Sequence, residues 1–303
     1  MTKKIIVRIA EGLGNQLFMY ANSLSLSKKI NYNLFIDNES GYFQKKNIRS
    51  YQLNNFNIDT PICENKYKFN NQLKNIKRKI LIKLDKYKKK KTFLLEKKDY
   101  LKKTRFIDYS QDNFSNTLYI EGHYESEKYF YDLKNILIEK FTLKNQHIYQ
   151  KNEYFKLIEN NKNVISICVR QNRFSERRSN ISDHNQKKKS EQFTKSTINY
   201  IKRSVNYIDQ KIDNAKYLVW SNDFSNLREY FPSEKFTFVD IKENKSLSDF
   251  YLLLNCKNFI VGPTSFHWWP AWLNSKENSI IIRPKDIDIS NNSDFWPNKW
   301  IPL

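Results

Sequence analysis

The sequence predicts an α/β protein with parallel sheets, organised in two halves. Three observations carry this. The chain opens on a strand, a glycine turn, a helix and a second strand, and from Val164 onward short apolar runs alternate with helical periodicity. A polar stretch, Lys140–Lys162, lies between the two patterns. Strands separated by helices imply a parallel sheet covered on both faces. A length of 303 residues suits one large or two medium domains, and the expected division is 1–150 and 151–303.

In chain order, Ile5–Ile9 is an apolar strand, followed at once by Glu11-Gly12-Leu13-Gly14-Asn15-Gln16. Leu17, Tyr20, Ala21 and Leu24 then share a helical face that ends near Ile30, and Leu34–Ile36, closed by Asp37, is the next strand. The plan is that of a Rossmann unit, but only two of the three glycines of the dinucleotide fingerprint are present. As a phosphate signal the turn alone is weak. Residues 38–72 are Asn-rich and yield no element. The segment 72–105 reads as a basic insertion; from Lys74 to Arg105 it holds 15 Lys/Arg against three acidic residues, a net +12. Leu73, Ile76, Ile80 and Leu84 fall on one face there, so part of it is an amphipathic basic helix. A solvated helix face is the bland alternative to contact with an anionic membrane leaflet or a lipid-linked glycan.

Leu118–Ile120 is a strand, and Ser126–Glu139 reads as a helix. In the second half, strands are expected at Val164–Val169, Tyr217–Trp220, Phe236–Val239, Phe259–Val261 and Ile280–Ile282. Helices are expected at Phe193–Ile208, Phe224–Tyr230, Leu247–Cys256 and Phe266–Leu273. The pivotal stretch is Ser248–Leu273. There a helix and a buried strand run into Gly262-Pro263-Thr264-Ser265, which opens a helix bearing Trp268, Trp269 and Trp272. Free N–H groups and the helix dipole at such a turn favour an anion, although a Ser/Thr N-cap needs no ligand. The tryptophans are expected to be core.

Composition narrows the classes. With 39% hydrophobic and 15% aromatic residues the chain can build cores. Its net charge of +21 is compatible with nucleic acid, an anionic membrane or phosphorylated small molecules. The basic residues gather in one segment away from the strand ends, and no nucleic-acid motif appears, so no nucleic-acid partner is expected. Cys63, Cys168 and Cys256 lie far apart without C-x-x-C spacing, which argues against a disulfide framework and a structural zinc site. No apolar run approaches 18 residues and the N-terminal apolar stretch is short for a signal peptide. The expected location is cytoplasmic, with the basic segment peripheral at the inner face of the membrane.

In open parallel sheets ligands lie beyond the carboxyl ends of the strands. After the strands at 164, 217 and 259 come Arg170-Gln171-Asn172-Arg173, Ser221-Asn222-Asp223 and Gly262-Pro263-Thr264-Ser265. An Arg, a carboxylate and a hydroxyl-bearing turn on one rim suit a nucleotide diphosphate.

Six segments, in order along nearly the whole chain, carry a resemblance. Gly12-Leu13-Gly14-Asn15-Gln16-Leu17-Phe18 with Tyr20-Ala21 is similar to the opening motif of glycosyltransferase family 11, the α-1,2-fucosyltransferases. Glu121–Phe130 resembles that family's G-Y-x-Q-S-E-K-Y-F segment, Trp220–Asp223 its F-S-D-D, and Asp249–Leu252 its D-x-x-L-M helix. Ser265–Leu273 resembles its S/T-F-S-W-W-x-A-W-L and Trp296–Ile301 its terminal W-I-P segment.

The resemblance implies a GT-B-like fold of two Rossmann-like domains with a donor cleft between them, 1–150 on the acceptor side and 151–303 binding the GDP-sugar donor. It implies GDP-fucose as donor, a galactoside of a surface polysaccharide or O-antigen as acceptor, inversion at the sugar, and no metal or other cofactor. Carried residue by residue, Arg170 holds the β-phosphate, Asp249 reads the guanine edge, and Ser265 sixteen residues on contacts phosphate. Cys168, Asp223, Thr264 and Phe266 complete the expected donor contacts, with Gly12, Gly14 and Asn15 contributing from the first half. The departure is at the Arg motif. Relatives show H-x-R-R-G-D where this chain has Cys168-Val169-Arg170-Gln171-Asn172-Arg173. With the acidic residue replaced, Glu176, Asp183 and His184 are the candidates for a base beside Arg170, and the sequence does not choose among them. A transferase of another nucleotide sugar and an inactive homologue stay open.

Overall fold

A computed structural model describes residues 2–44, 49–99, 103–175, 183–274, 276–287 and 292–303. The chain forms two compact units, Met1–Lys144 with Ser290–Pro297, and Asn145–Ile289 with Asn298–Leu303.

In the first unit, β1 (Lys4–Arg8), α1 (Leu13–Lys29) and β2 (Asn33–Asp37) follow the expected opening. The later elements are α2 (Gln72–Asp85), β3 (Lys91–Leu95), β4 (Phe114–Glu121) and α3 (Lys134–Lys140). The four strands make one parallel sheet in the order β2-β1-β4-β3. Fourteen of the seventeen α1 residues are buried, including Gln16, Ser23 and Ser25, so this helix is a central rod and not a surface helix with one apolar stripe.

The second unit contains α4 (His147–Gln150), α5 (Glu153–Asn160), β5 (Val164–Val169), α6 (His184–Asp209), β6 (Lys216–Ser221) and α7 (Leu227–Tyr230). It continues with β7 (Phe236–Phe238), α8 (Lys245–Asn255), β8 (Asn258–Ile260), α9 (Ser265–Leu273), β9 (Ile281–Arg283) and β10 (Ile301–Pro302). All six strands are parallel in the order β10-β9-β8-β5-β6-β7. Counted from β5, that is the doubly wound 3-2-1-4-5-6 arrangement, and the order reverses between β5 and β8, where ligands bind in such sheets. Every residue of β5 is buried, as the central strand requires. The tryptophans are core: Trp268 stacks on Trp272 at 5.7 Å and meets Trp300 at 5.6 Å.

Several local expectations needed correction. The helix expected over Ser126–Glu139 is two 3₁₀ turns, Glu127–Tyr129 and Tyr131–Leu133, followed by α3 alone. Phe130, at φ −142°, breaks it. Phe224 lies outside α7, because Asn226 takes a left-handed φ of 61° and delays the helix start. The polar stretch 140–162 contains α4 and α5, and the basic segment contains β3. Nine non-glycine residues among those described have left-handed φ, and seven are Asn. Asn tolerates that region, so the Asn-rich composition does turn-making that five glycines alone could not.

Helix α2 is oriented unusually. Asn71 caps its start by accepting from Lys74 N at 2.9 Å. Its inward side is polar: Arg78 grips both oxygens of Glu121 at 2.5–2.6 Å, and Asp85 accepts from Thr92 N and Phe93 N of β3. Its apolar side faces outward, with Leu73, Ile76, Ile80 and Leu84 between 48% and 80% exposed, and Tyr87 just beyond at 87%.

Candidate active site

The carboxyl ends of β8, β5 and β6 are neighbours in the second sheet, so they bring Gly262–Ser265, Arg170 and Ser221–Asp223 onto one rim. Gly262 is required by contact. A Cβ there would stand 2.2 Å from the Cys168 carbonyl oxygen and 2.8 Å from Cys168 Cβ. Cys168 is thus the floor beneath the turn, and burial, with Asp249 nearby, pushes its thiol well above the usual range, so it is neutral.

The turn is held from two further sides. His267, fully buried, accepts the Gly262 N–H through Nδ1 at 2.9 Å. Its Nε2 therefore carries the proton and donates to Ser166 Oγ at 3.1 Å, which donates to the Asn258 carbonyl at 3.3 Å. Burial pushes His267 down to about 3, so it stays neutral and keeps this tautomer. Arg173 donates to the Pro263 carbonyl at 3.1 Å while its guanidinium lies over the Phe193 ring at 5.0 Å. Arg173 therefore braces the turn. Thr264 is the N-cap of α9, its Oγ1 accepting from His267 N at 3.1 Å. Ser265 is the first residue of that helix, and Phe266 packs edge-on against Phe250.

Asp249 is the most unusual carboxylate described. It sits in α8, only 6% exposed, with Lys245 one turn earlier at 3.5 Å from Oδ2. Burial pushes it up to about 6, against the opposing pull of Lys245 and of the Trp220 indole. Yet Asp249 Oδ1, Lys245 Nζ and Trp220 Nε1 are all buried without a hydrogen bond of good geometry. Lys245 and the Trp220 indole thus compensate the buried carboxylate only loosely, which is costly. They offer one acceptor and two donors to an incoming polar edge. Neither Lys245 nor the Trp220 N–H stands out in the sequence, since a Lys four residues before an Asp reads as an ordinary helix pair.

The remaining candidates are placed as follows. Asp223 is committed locally. Its Oδ1 accepts from Ser225 N and Oγ, its Oδ2 from Asn172 Nδ2 at 3.0 Å, and these bonds, Ser225 first, lower its pKa. Asp183 is the N-cap of α6, accepting from Asn185 N and Gln186 N, and His184 is exposed at that helix start. Glu176 lies outside the described residues. Gly12 is the N-cap of α1, with Gly14 and Asn15 in its first turn, all in the first unit. Among the described residues no group of three or more His, Cys, Asp or Glu could hold a metal ion.

The chain is similar to known glycosyltransferases. The chain is 26% identical over 310 residues to an α-1,2-colitosyltransferase of Escherichia coli, covering 99% of this chain and 98% of that protein. It is 24% identical over 322 residues to the O-antigen biosynthesis glycosyltransferase WbnK of Escherichia coli, covering 97% and 99%. Among solved structures, the NodZ α-1,6-fucosyltransferase soaked with GDP-fucose superposes with a TM-score of 0.54 at 12% identity, over 90% of this chain and 93% of that one. A variant of Arabidopsis thaliana FUT1 in complex with GDP gives 0.53 at 13% identity, over 94% and 71%. The fold shared with these fucosyltransferases is GT-B-like. A family model, Glycosyl transferase family 11, matches residues 4–302, and the chain belongs to that family.

Proposed function

We propose that this glycosyltransferase moves L-fucose from GDP-fucose, with inversion, to a galactoside hydroxyl, O2 in our reading, of a surface polysaccharide. The observation that carries the donor assignment is the loosely paired buried cluster of Asp249, Lys245 and Trp220 beside the rim where the strand order reverses. A guanine edge presents two N–H groups to a carboxylate and a carbonyl oxygen to a donor, which complements that cluster. Arg170 and the Thr264–Ser265 turn stand one and two strands away from β6 on the same rim, suited to the diphosphate. The names of the relatives support the class: one transfers colitose in α-1,2 linkage, and one solved neighbour was soaked with GDP-fucose.

Cleaving the sugar–phosphate bond leaves an oxocarbenium-like sugar and new negative charge on the diphosphate. Donors fixed in place before reaction stabilise that charge, and losing one such donor costs about 2.7–4 kcal/mol of transition-state stabilisation. Arg170, the Ser265 hydroxyl and the turn N–H groups take this role, held in register by Arg173 and His267. The base for the acceptor hydroxyl is Glu176, Asp183 or His184; of these, Asp183 already serves as a helix cap.

The basic insertion has a place in this reading. The outward apolar face of α2, flanked by exposed Lys77, Lys79, Lys83 and Lys86, suits the interface of an anionic leaflet carrying a lipid-linked acceptor. No helix among the described residues is long and apolar enough to cross a membrane.

The test is calorimetry of GDP-fucose binding in EDTA, with GDP-mannose and UDP-galactose alongside. Selective binding of GDP-fucose supports the donor. The colitosyltransferase relative favours one second reading, a GDP-linked sugar lacking a fucose hydroxyl, so GDP-colitose belongs in the same series. Tighter binding of GDP-colitose moves the sugar and keeps the guanine site; no binding of any GDP-sugar refutes the proposal.

A further inference from the structure

We propose that Tyr200, on α6, is a positioning residue for sugar transfer: its hydroxyl fixes the peptide at which the phosphate-binding turn leaves the sheet, an inference that rests on the transferase reading. Tyr200 is fully buried, and its O–H is shared between the Val261 carbonyl at 3.1 Å and the Ile282 carbonyl at 2.9 Å. These carbonyls stand at the carboxyl ends of neighbouring strands, Val261 just past β8 and Ile282 within β9. Burial pushes the phenol well above its usual range, so it keeps the proton that it donates.

Pro284 is the reason a side chain is needed there. Val261 N donates to the Ile282 carbonyl at 2.8 Å, so the next bond of the parallel ladder would run from the N–H of residue 284 to the Val261 carbonyl. Residue 284 is a buried proline and has no N–H to give. On its other edge β9 stays paired past this point, with Leu303 N donating to the Arg283 carbonyl at 3.0 Å and Lys285 N to the Leu303 carbonyl at 2.9 Å. Successive residues of a strand bond to opposite edges, so Pro284, like Ile282, faces β8. Without the Tyr200 hydroxyl the Val261 carbonyl would be buried and unbonded, which is costly.

The Val261 carbonyl and the Gly262 N–H are the two ends of one planar trans peptide, and they point in opposite directions. Tyr200 holds the carbonyl end, and His267 Nδ1 holds the N–H end at 2.9 Å. Helices α6 and α9 thus grip a single peptide from two sides. Any rotation that took the carbonyl to a new partner would break the His267 bond as well. The next two carbonyls are also occupied, Gly262 by Thr264 N at 2.7 Å and Pro263 by Arg173 at 3.1 Å. Three successive carbonyl oxygens are therefore turned to donors inside the protein, so that their negative ends do not oppose the charge that grows on the diphosphate.

The experiment uses the full chain as wild type, Tyr200→Phe, Pro284→Ala and the double variant. Tyr200→Phe removes one oxygen and keeps the ring; adding Pro284→Ala returns an N–H at the vacant ladder position. Two quantities are read: kcat with GDP-fucose and methyl β-D-galactopyranoside, per GDP-binding site counted by calorimetry, and amide exchange of residues 258–266 by mass spectrometry. Tyr200→Phe is expected to lower kcat about tenfold to hundredfold, as small misplacements of a reacting site do. GDP affinity should stay within about threefold, since the loss falls on the transition state. Exchange should speed up about three- to tenfold, the worth of one hydrogen bond. Pro284→Ala alone should behave as the wild type, and the double variant should recover most of the rate and the protection. A tyrosine that serves stability alone would lower the folded fraction without changing kcat per binding site, and would show no such rescue. A normal kcat or unchanged exchange in folded Tyr200→Phe, or no recovery in the double variant, would overturn the proposal. Should Tyr200→Phe fail to fold, the double variant decides in the same way, by a kcat close to or far below that of the wild type. Exchange needs no donor, so an absence of transfer by the wild type tests the transferase reading separately.

Discussion

Asp249→Asn separates function from stability at one residue. The folded protein pushes this carboxyl up to about 6 from an ordinary 3.8, mainly through burial, even with Lys245 opposing. A carboxyl whose folded pKa lies above its unfolded value favours the fold while protonated. That contribution is fully present below about pH 4 and is lost as pH rises through about 6. At pH 8 the ionised group therefore costs the native state about 3 kcal/mol relative to the protonated one, at 1.36 kcal/mol for each pKa unit. The amide copies the protonated form in shape and charge.

Asp249→Asn should then be more stable than the wild type by up to about 3 kcal/mol at pH 8, by nearly as much at pH 6, by about half that near pH 5, and by about 0.5 kcal/mol at pH 4. Urea unfolding followed by tryptophan emission reads this well, because Trp220, Trp268, Trp269, Trp272 and Trp300 all belong to the second unit. GDP affinity should move the other way. The variant loses the charge-assisted contact to guanine, typically about 1.5–3 kcal/mol, or some tenfold to hundredfold in Kd. Wild-type affinity should fall below pH 6 as Asp249 protonates, and the variant should lack that step. A variant that is no more stable at pH 8, or a stability gain independent of pH, would sink the argument that this carboxylate is buried in a strained state for a ligand's sake.

Four other expectations follow from the geometry. Arg170→Ala should cut transfer at least about a hundredfold with the fold intact by circular dichroism, and a near-normal rate would remove Arg170 from charge stabilisation. Gly262→Ala forces a Cβ into the Cys168 carbonyl and should destabilise by about 1–3 kcal/mol or more in urea unfolding; a neutral result would mean that β5 and the turn separate freely. Ile76→Glu with Ile80→Glu should leave stability within about 0.5 kcal/mol, both sites being exposed. The same pair should greatly reduce co-sedimentation with phosphatidylglycerol vesicles, and unchanged sedimentation would refute the leaflet contact.

The second unit was more legible in the sequence than the first, for a physical reason. A parallel sheet buried on both faces writes each strand as a short apolar run, and V-I-S-I-C-V or Y-L-V-W needs no further context. The strand at Lys91–Leu95 pairs on one side only, and its Lys-rich surroundings hid it. Helix α5 is hard to read from sequence because only Ile158 is buried in it. Residues that act through position were legible from motif, as with Gly262 and Thr264. The strained cluster was only partly so. Asp249 was picked out, but its two partners come from β6 and from one helical turn upstream, and nothing local marks Trp220 or Lys245 as unsatisfied.

The departures from the family pattern make sense together. Set against the motifs that the chain resembles, His267 stands in place of a Ser and Arg173 in place of an acidic residue. Both replacements act on the same four-residue turn, His267 through the Gly262 N–H and Arg173 through the Pro263 carbonyl. A neutral, buried imidazole accepting an amide proton is rigid because it has one tautomer and no room to rotate. A guanidinium fixed over Phe193 adds a second brace. The turn meets the diphosphate in the proposed mechanism, and preorganisation is what makes such donors effective. In the proposed mechanism Arg173, where the resembled motif has an acid, holds the phosphate turn, and proton acceptance falls to Glu176, Asp183 or His184. If so, Arg173→Ala should lower kcat by at least about tenfold with little change in GDP affinity, whereas Arg173→Asp, restoring the family's acid without the brace, should not recover it. Recovery by Arg173→Asp would show that the position still works as a base and that the turn needs no strut.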